Sequence, residues 1–252
     1  MLRVRQAALE RVDHRRPAPA LVRAQHQVDP ARRYWVLDPV DGTKGFLRKE
    51  QYAIALALVE GGQVLLGVLA CPNLPFSLHA PEQPVFGQMY AAVKGQGAER
   101  IDLGAGDSIV RRLPLRVTPE TEPARLEWVE RVESSDKNHD VTAQVVEAVG
   151  ITKEPHRIDS QAKYAVVARG DAALYLRHSL SKTYIEKVWD HAAGAIVTEE
   201  AGGRVTDVNG HPLDFSMGRR QLDNNTGIVA TNGRIHEQVL EAVRRVLGRS
   251  AG

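Results

Sequence analysis

The chain has 252 residues, of which 43% are hydrophobic and 25% charged. This composition is typical of a globular protein with one large domain or two modest ones. The formal net charge of +2 argues against a nucleic-acid surface but allows a local basic pocket for a phosphorylated ligand. The single cysteine, Cys71, excludes an internal disulfide. Because no run is apolar enough to cross a membrane, we expect a cytoplasmic protein without a membrane partner.

Residues 1–33 form a basic lead segment that is rich in proline and alanine. A short amphipathic helix is predicted over Leu2 to Val12, and the prolines that follow exclude a regular element around Arg15 to Ala20. We assign no site to this segment.

Residues 34–118 are predicted to form a partial N-terminal antiparallel sheet domain. Gly61-Gly62 is a hairpin signal between two apolar runs, so both flanking strands are expected to be buried on both faces. The predicted strands are Tyr34 to Leu37, Ala53 to Val59, Gln63 to Ala70, Gln88 to Val93 and Leu113 to Thr118.

Residues 119–252 alternate between strand and helix patterns, which predicts a C-terminal α/β domain with sites at strand ends. The predicted helices are Val141 to Val149, one that begins near Ser160, His191 to Ala201 with Asp190 as its N-cap, and Ile235 to Leu247. The predicted strands are Arg125 to Val132, Arg157-Ile158, Ala172 to Leu176, Arg204 to Thr206 and Gly227 to Ala230.

A turn with two carboxylates follows the first strand, in the string Asp38-Pro39-Val40-Asp41-Gly42-Thr43. Proline stiffens this turn and glycine allows a positive φ, so both carboxylates can face one point, where oxygen ligands suit Mg²⁺. The amides of Gly42 and Thr43 could cradle a phosphate, and the Thr43 hydroxyl could orient a water. An Asp-Pro turn that only caps backbone amides is the alternative.

Two further stretches have the composition of a phosphate site. Asp159 to Tyr164 combines a predicted helix start with the hydroxyl of Ser160 and the ammonium of Lys163, which favours an anion, although a capped surface helix fits equally well. Trp189 to Gly194 places Asp190 at a helix start, where it could reach a cation or act only as an N-cap.

Taken together, the Asp38 to Thr43 and Trp189 to Gly194 strings resemble the lithium-sensitive, magnesium-dependent phosphatase superfamily that includes inositol monophosphatase and fructose-1,6-bisphosphatase. The strings Trp35 to Arg48, Cys71 to Leu74 and Asp159 to Tyr164 are similar to its 3′(2′),5′-bisphosphate nucleotidase branch. The resemblance implies an inositol-monophosphatase-like layered α/β sandwich. It also implies Mg²⁺-dependent, Li⁺-inhibited hydrolysis of the 3′-phosphate of adenosine 3′,5′-bisphosphate, a by-product of sulfate transfer.

The resemblance also implies roles for individual residues. Asp38, Asp41, Asp190 and the backbone carbonyl of Val40 would be Mg²⁺ ligands, and Asp41 with Thr43 would form the catalytic pair. Contacts to the substrate are expected from Gly42, Thr43, Ser160, Lys163, Arg177 and Asp190.

Two features depart from the family pattern. Relatives carry, ahead of the Asp-Pro turn, paired helices, a water-activating aspartate and a Gly-Glu-Glu strand, whereas this chain starts after them. Asp136 stands where relatives place a nucleotide-contacting histidine, while the following His139-Asp140 fits the pattern. An inositol phosphate substrate, or an inactive paralogue that binds the nucleotide without turnover, therefore remain alternatives.

We expect this chain to expose an apolar face of its first sheet and to dissolve poorly. Size-exclusion chromatography with light scattering should show association or aggregation. The oligomeric state itself is not predicted, and a monodisperse monomer with high thermal stability would contradict the expectation.

Overall fold

The computed structural model describes residues 28–29, 31–79, 87–103, 109–132, 136–178, 185–217 and 222–250. Within these ranges the chain forms two sheets with helices between and beside them. The predicted helix over Leu2 to Val12 lies outside the described residues.

The first sheet is an antiparallel meander of six strands in the order β1 to β6. Its first edge strand, β1, runs directly into the acidic turn and a short helix, α1. The elements are β1 Tyr34–Asp41, α1 Thr43–Leu47, β2 Ala53–Glu60, β3 Gln63–Cys71, β4 Gln88–Val93, β5 Ala98–Leu103 and β6 Ile109–Pro114.

The hairpin over Gly61-Gly62 is confirmed, but the prediction that its strands are buried on both faces was wrong. In β2 the side chains of Ala53, Ala55 and Ala57 are buried, whereas Ile54 on the other face is 39% exposed. One face packs against a helix whose residues closely approach Gly67 of β3. The hydrophobic effect therefore acts mainly on that face.

The prediction placed the last strand of this sheet too far along the chain, at Leu113 to Thr118. The strand observed there, β6, spans Ile109–Pro114. Strand β5 was not predicted. Charged residues interrupt the alternation of apolar and polar side chains that would have predicted this strand. Asp102 forms ion pairs with Arg100 of the same strand and with Arg111 of β6. Ion pairs of this kind stabilise a strand that lacks an apolar pattern.

The second sheet has five strands in the order β10-β11-β9-β7-β8. It is mixed, because β7 runs parallel to β8 and β9 while the other pairs are antiparallel. The strands are β7 Trp128–Glu130, β8 His156–Arg157, β9 Leu174–Arg177, β10 Arg204–Thr206 and β11 Ile228–Thr231.

Four helices complete the layers of the fold. Helices α3 and α4 share a hydrophobic core with both sheets, whereas α2 and α5 pack on the opposite face of the second sheet. Their bounds are α2 Asp136–Val149, α3 Ala162–Ala168, α4 Ala192–Glu200 and α5 His236–Ser250, with 3₁₀ turns at Pro123–Arg125 and Val188–Asp190. Among the described residues, no helix combines the length and apolar character that a membrane crossing requires.

This arrangement confirms the predicted layered α/β sandwich with one antiparallel and one mixed sheet. The helix end at Gly150 is also confirmed, since its φ of 88° is suited to glycine. The strand predicted from Arg125 is shorter than expected, because Pro123–Arg125 forms a 3₁₀ turn and only Trp128–Glu130 pairs.

A buried histidine joins the last helix to two neighbouring strands, β10 and β11, at one edge of the second sheet. His236 is fully buried, and its Nδ1 and Nε2 lie 2.9 and 3.0 Å from the hydroxyls of Thr231 and Thr206. Burial, together with the smaller effect of the nearby Arg204 charge, lowers the pKa of His236 to about 4. The folded chain therefore favours the neutral imidazole.

We expect His236 to destabilise the fold in acid. Because its folded pKa lies below the usual value near 6.5, stability is fully present above about pH 6.5 and falls as the pH drops toward 4. The free energy of unfolding in urea should fall by about 1 to 2 kcal/mol between pH 7.5 and pH 5 through this residue. His236→Gln should flatten that dependence, while His79→Gln, at an exposed site, should leave it intact. Equal pH dependence in His236→Gln and the wild type would contradict the prediction.

Candidate metal and phosphate site

The acidic turn is built by the end of β1 and the start of α1. The pairing of β1 with β2 is irregular between Asp38 and Asp41, which distorts the strand at the carboxylates. Asp38 Oδ1 accepts the N–H of Val40 at 3.1 Å, and the Thr43 hydroxyl donates to the Val40 carbonyl at 3.4 Å. These local bonds hold the turn in one conformation.

Gly42 lets this turn lie directly against the second predicted stretch. It adopts a left-handed conformation with φ of 83°, and a Cβ at this position would lie 2.8 Å from the Cβ of Ser160. Any larger residue would strain the backbone and push the two segments apart. The close approach brings the acidic turn and the Ser160 segment to one cavity.

Three carboxylates converge at this point. One oxygen from each of Asp38, Asp41 and Asp190 lies within 4.8 Å of the others. Burial raises the pKa of Asp38 to about 6, and the charges of Asp41 and Asp190 contribute to the rise. Burial likewise raises the pKa of Asp190. A crowded group of hard oxygen donors that resists ionisation by itself fits a divalent cation such as Mg²⁺.

The prediction that Asp190 is the N-cap of α4 was wrong. Asp190 is the last residue of the 3₁₀ turn before the helix, and His191 occupies the cap position without a side-chain capping bond. The carboxylate of Asp190 instead faces the acidic cluster and lies 3.6 Å from a guanidinium nitrogen of Arg177. Its position therefore suits cation binding better than helix capping.

The Ser160 segment is a strained turn before α3. Ser160 has a φ of 68°, which is rare for a residue with a side chain, and the helix starts at Ala162 rather than near Ser160. The Ser160 hydroxyl accepts the N–H of Ala162 at 3.2 Å. Backbone strain of this kind is often retained at functional sites.

Lys163 is buried behind this turn. Its ammonium donates to the carbonyls of Ile158 and Ser160 at 3.0 and 2.7 Å. Burial lowers the pKa of Lys163 to about 7, and nearby cationic side chains add to the decrease. Lys163 thus braces the turn, and it also contributes to the cavity wall.

The cavity has a volume of about 220 Å³ and joins the predicted stretches. Asp38 and Val40 of the acidic turn do not line it, but Asp38 shares the carboxylate cluster with Asp41 and Asp190, which do. The predicted residues that line the cavity are Asp41, Gly42, Thr43, Ser160, Lys163, Arg177 and Asp190, and residues that the sequence did not predict there are Lys44, Arg131, Asp159, Gln161, Tyr164 and Tyr175.

Arg177 is held by a buried acid that the sequence analysis missed. Glu186 accepts from Arg177 Nε and Nη2 at 2.9 Å each and lies 2.9 Å from Nε2 of the buried His191. The other nitrogen of His191 lies 2.8 Å from the Tyr164 hydroxyl. Glu186, Asp190 and His191 lie close enough together to hold a metal. The hydrogen bonds of Glu186 and His191 instead show that these two residues belong to a buried network with Arg177 and Tyr164. The only feature of the sequence that could have pointed to Glu186 is its position four residues before Asp190.

His139 was considered as a ligand contact, but the structure places it elsewhere. It lies 2.8 Å from Glu130 and lines a different cavity. Glu130 also pairs with Arg157. These contacts favour a structural role for His139 over contact with a ligand in the Asp190 cavity.

The sequence pattern of the inositol monophosphatase family matches residues 9–247. A 3′(2′),5′-bisphosphate nucleotidase of Oryza sativa is 47% identical over 220 residues, which cover 85% of this chain and 60% of that protein. The 3′(2′),5′-bisphosphate nucleotidase 1 of Candida albicans is 43% identical over 223 residues, covering 85% and 61%. The chain thus spans about 60% of the length of these curated relatives.

Solved structures show the same fold. The Thermotoga maritima IMPase superimposes with a TM-score of 0.61 at 27% identity, covering 89% of this chain and 72% of its own. An inositol monophosphatase from Anabaena gives a TM-score of 0.62 at 26% identity, covering 90% and 77%. Two sheets with helices between them are therefore a shared architecture.

Removing one carboxylate should stabilise the metal-free protein. Because the folded pKa of Asp38 is raised to about 6, wild-type stability falls as the pH rises from about 4 through 6. Asp38→Asn should raise the free energy of unfolding at pH 7.5, in chelator, by about 1 kcal/mol after allowance for solvent screening. It should also remove most of the rise in Tm that a divalent cation produces.

Asp140→Asn is the matched control, because Asp140 is an exposed carboxylate on α2 outside the cavity. It should change neither the stability in chelator nor the response to cation. A destabilised Asp38→Asn protein that keeps the full cation response would show that the cluster is not a metal site.

Proposed function

Since this chain belongs to the inositol monophosphatase family, we propose that it is a phosphatase that converts adenosine 3′,5′-bisphosphate to AMP and inorganic phosphate. The observation that carries the proposal is the cavity in which Asp41 and Asp190, two of the three clustered carboxylates, meet Ser160 and Lys163. Relatives that are 41–47% identical to this chain over aligned stretches of 218–223 residues bear the name 3′(2′),5′-bisphosphate nucleotidase. Clearing this by-product of sulfate transfer would be the cellular role.

The donor set supports Mg²⁺ as the cofactor. Asp38, Asp41 and Asp190 would hold it, with the Val40 carbonyl as a further oxygen ligand. Bound there, the cation would lower the pKa of a water and neutralise charge on the phosphoryl group. From the family resemblance, we also expect inhibition by Li⁺.

The chain's own residues would position the reactants. The Thr43 hydroxyl lies at the cavity, where it can orient a water for attack on phosphorus. As the new P–O bond forms, the bond between phosphorus and the 3′-oxygen breaks, and this oxygen leaves as the hydroxyl of AMP after taking up a proton. Inorganic phosphate carries away the water oxygen.

Basic side chains favour a substrate with two phosphates. Lys44, Arg131, Lys163 and Arg177 all line the cavity. The Lys163 ammonium has three N–H groups, of which two donate to backbone carbonyls, so it can offer another to a phosphate oxygen. The Ser160 hydroxyl and the amides of Gly42 and Thr43 would add neutral donors.

The direct test is phosphate release from adenosine 3′,5′-bisphosphate by the purified chain, with Mg²⁺ and with or without Li⁺. We expect release that depends on Mg²⁺ and decreases with Li⁺. Inositol 1-phosphate is the comparison substrate. A preference for it would show that the substrate is an inositol phosphate rather than the nucleotide. A folded protein that binds the nucleotide but releases no phosphate would instead support the inactive paralogue.

Asp41→Asn should lower phosphate release at least 100-fold, because it removes a charged cation ligand that also anchors the neighbouring turn. The rate should be measured at saturating substrate and at several Mg²⁺ concentrations. Asp140→Asn should retain the wild-type rate. Near wild-type activity in Asp41→Asn would exclude the acidic turn as the reaction centre.

A further inference from the structure

Gln161 connects the segments that build the candidate site. It is only 2% exposed, and its backbone N–H donates to Asp41 Oδ2 at 2.6 Å. Its side-chain Nε2 donates to the carbonyl of Trp189 at 2.8 Å, and its Oε1 accepts the N–H of Gly194 at 3.1 Å. One residue thus bridges the Asp41 turn and the two sides of Asp190.

This bridge opposes electrostatic repulsion. Asp41 and Asp190 belong to distant parts of the sequence and have carboxylate oxygens within 4.8 Å of each other. Like charges at such a distance repel, and without a cation they favour separation of the two turns. Hydrogen bonds from Gln161 to Asp41 and to the Trp189 carbonyl hold both turns against that force.

Glutamine is chemically suited to this position. Its amide offers an acceptor toward Gly194 and a donor toward Trp189 without adding a charge. A lysine or arginine would place a competing cation near the carboxylates, and a glutamate would add a fourth negative charge. A buried apolar residue of equal length would leave the Trp189 carbonyl and the Gly194 amide without this partner.

We propose that Gln161 is a positioning residue that keeps the Asp190 turn at the distance from Asp41 at which both carboxylates can share one divalent cation. The inference rests on the proposed function, because it takes the carboxylate cluster as the cation site. Gln161 acts through Asp41 and Asp190, and its side chain sets how much of the site is formed before the cation binds.

The experiment measures Mn²⁺ binding by calorimetry, without substrate, for the wild type and Gln161→Met. Methionine keeps the length and the backbone N–H but removes both amide contacts. We expect the dissociation constant for Mn²⁺ to rise about 10-fold or more, as for other residues that orient metal ligands. Phosphate release should recover toward the wild-type rate as Mg²⁺ is raised, because the chemistry at the filled site is unchanged.

Gln88→Met is the matched control for the loss of a buried glutamine. Gln88 is 1% exposed and accepts bonds from Tyr90 and Arg169 away from the cavity. This variant should lose stability in urea but keep the wild-type affinity for Mn²⁺. If Gln161→Met does not fold, Gln161→Asn, which keeps an amide with a shorter reach, should show the same weakened binding.

The outcomes separate this inference from the proposed function. Wild-type Mn²⁺ affinity in a folded Gln161→Met or Gln161→Asn protein would overturn the positioning role alone. Equal loss of affinity in Gln88→Met would also overturn it, since general destabilisation would then explain the effect. A wild-type protein that binds no Mn²⁺ would overturn both proposals.

Discussion

Repulsion among Asp38, Asp41 and Asp190 is the constraint on which the candidate site depends. Three carboxylates from two distant segments have oxygens within 4.8 Å of one another, which costs free energy unless protons or a cation compensate. The surrounding fold supplies the necessary restraint. Strand β1 anchors one segment in a six-stranded sheet, and the other precedes α4, which is packed between the sheets. The site is therefore held by the core as well as by the hydrogen bonds of Gln161.

The polar network around the cavity holds the basic side chains of Arg177 and Lys163 in place. Glu186 neutralises Arg177 and contacts the buried His191, while Lys163 is bound to carbonyls of the Ser160 turn. The basic groups are thus fixed before a ligand arrives, which reduces the entropy lost on binding. Gln161 contributes neutral bonds where another charge would disturb the carboxylates. Preorganised positive groups opposite a cation site are what phosphoryl transfer requires.

The described chain also carries an apolar surface away from this cavity. Trp35 and Leu37 of β1 are 57% and 47% exposed, and Ile54 of the neighbouring strand is 39% exposed. These side chains share one face of the first sheet because residues two apart point in the same direction and the strands pair in register. The acidic turn is the continuation of this same edge strand. A change in the packing of β1 will therefore also change the positions of Asp38 and Asp41.

From the sequence alone, the hairpin, the main helices and the residues of the two acidic strings were predictable, because glycine turns, apolar periodicity and short motifs are local signals. Tertiary structure decided what those residues do. Asp190 has the sequence position of a helix cap but faces the cluster. Strand β5 is stabilised by one ion pair within the strand and another to β6. Glu186 had no recognisable local pattern, and Gln161 lay in the Asp159 to Tyr164 string without a predicted role, because their partners lie on segments that only folding brings together.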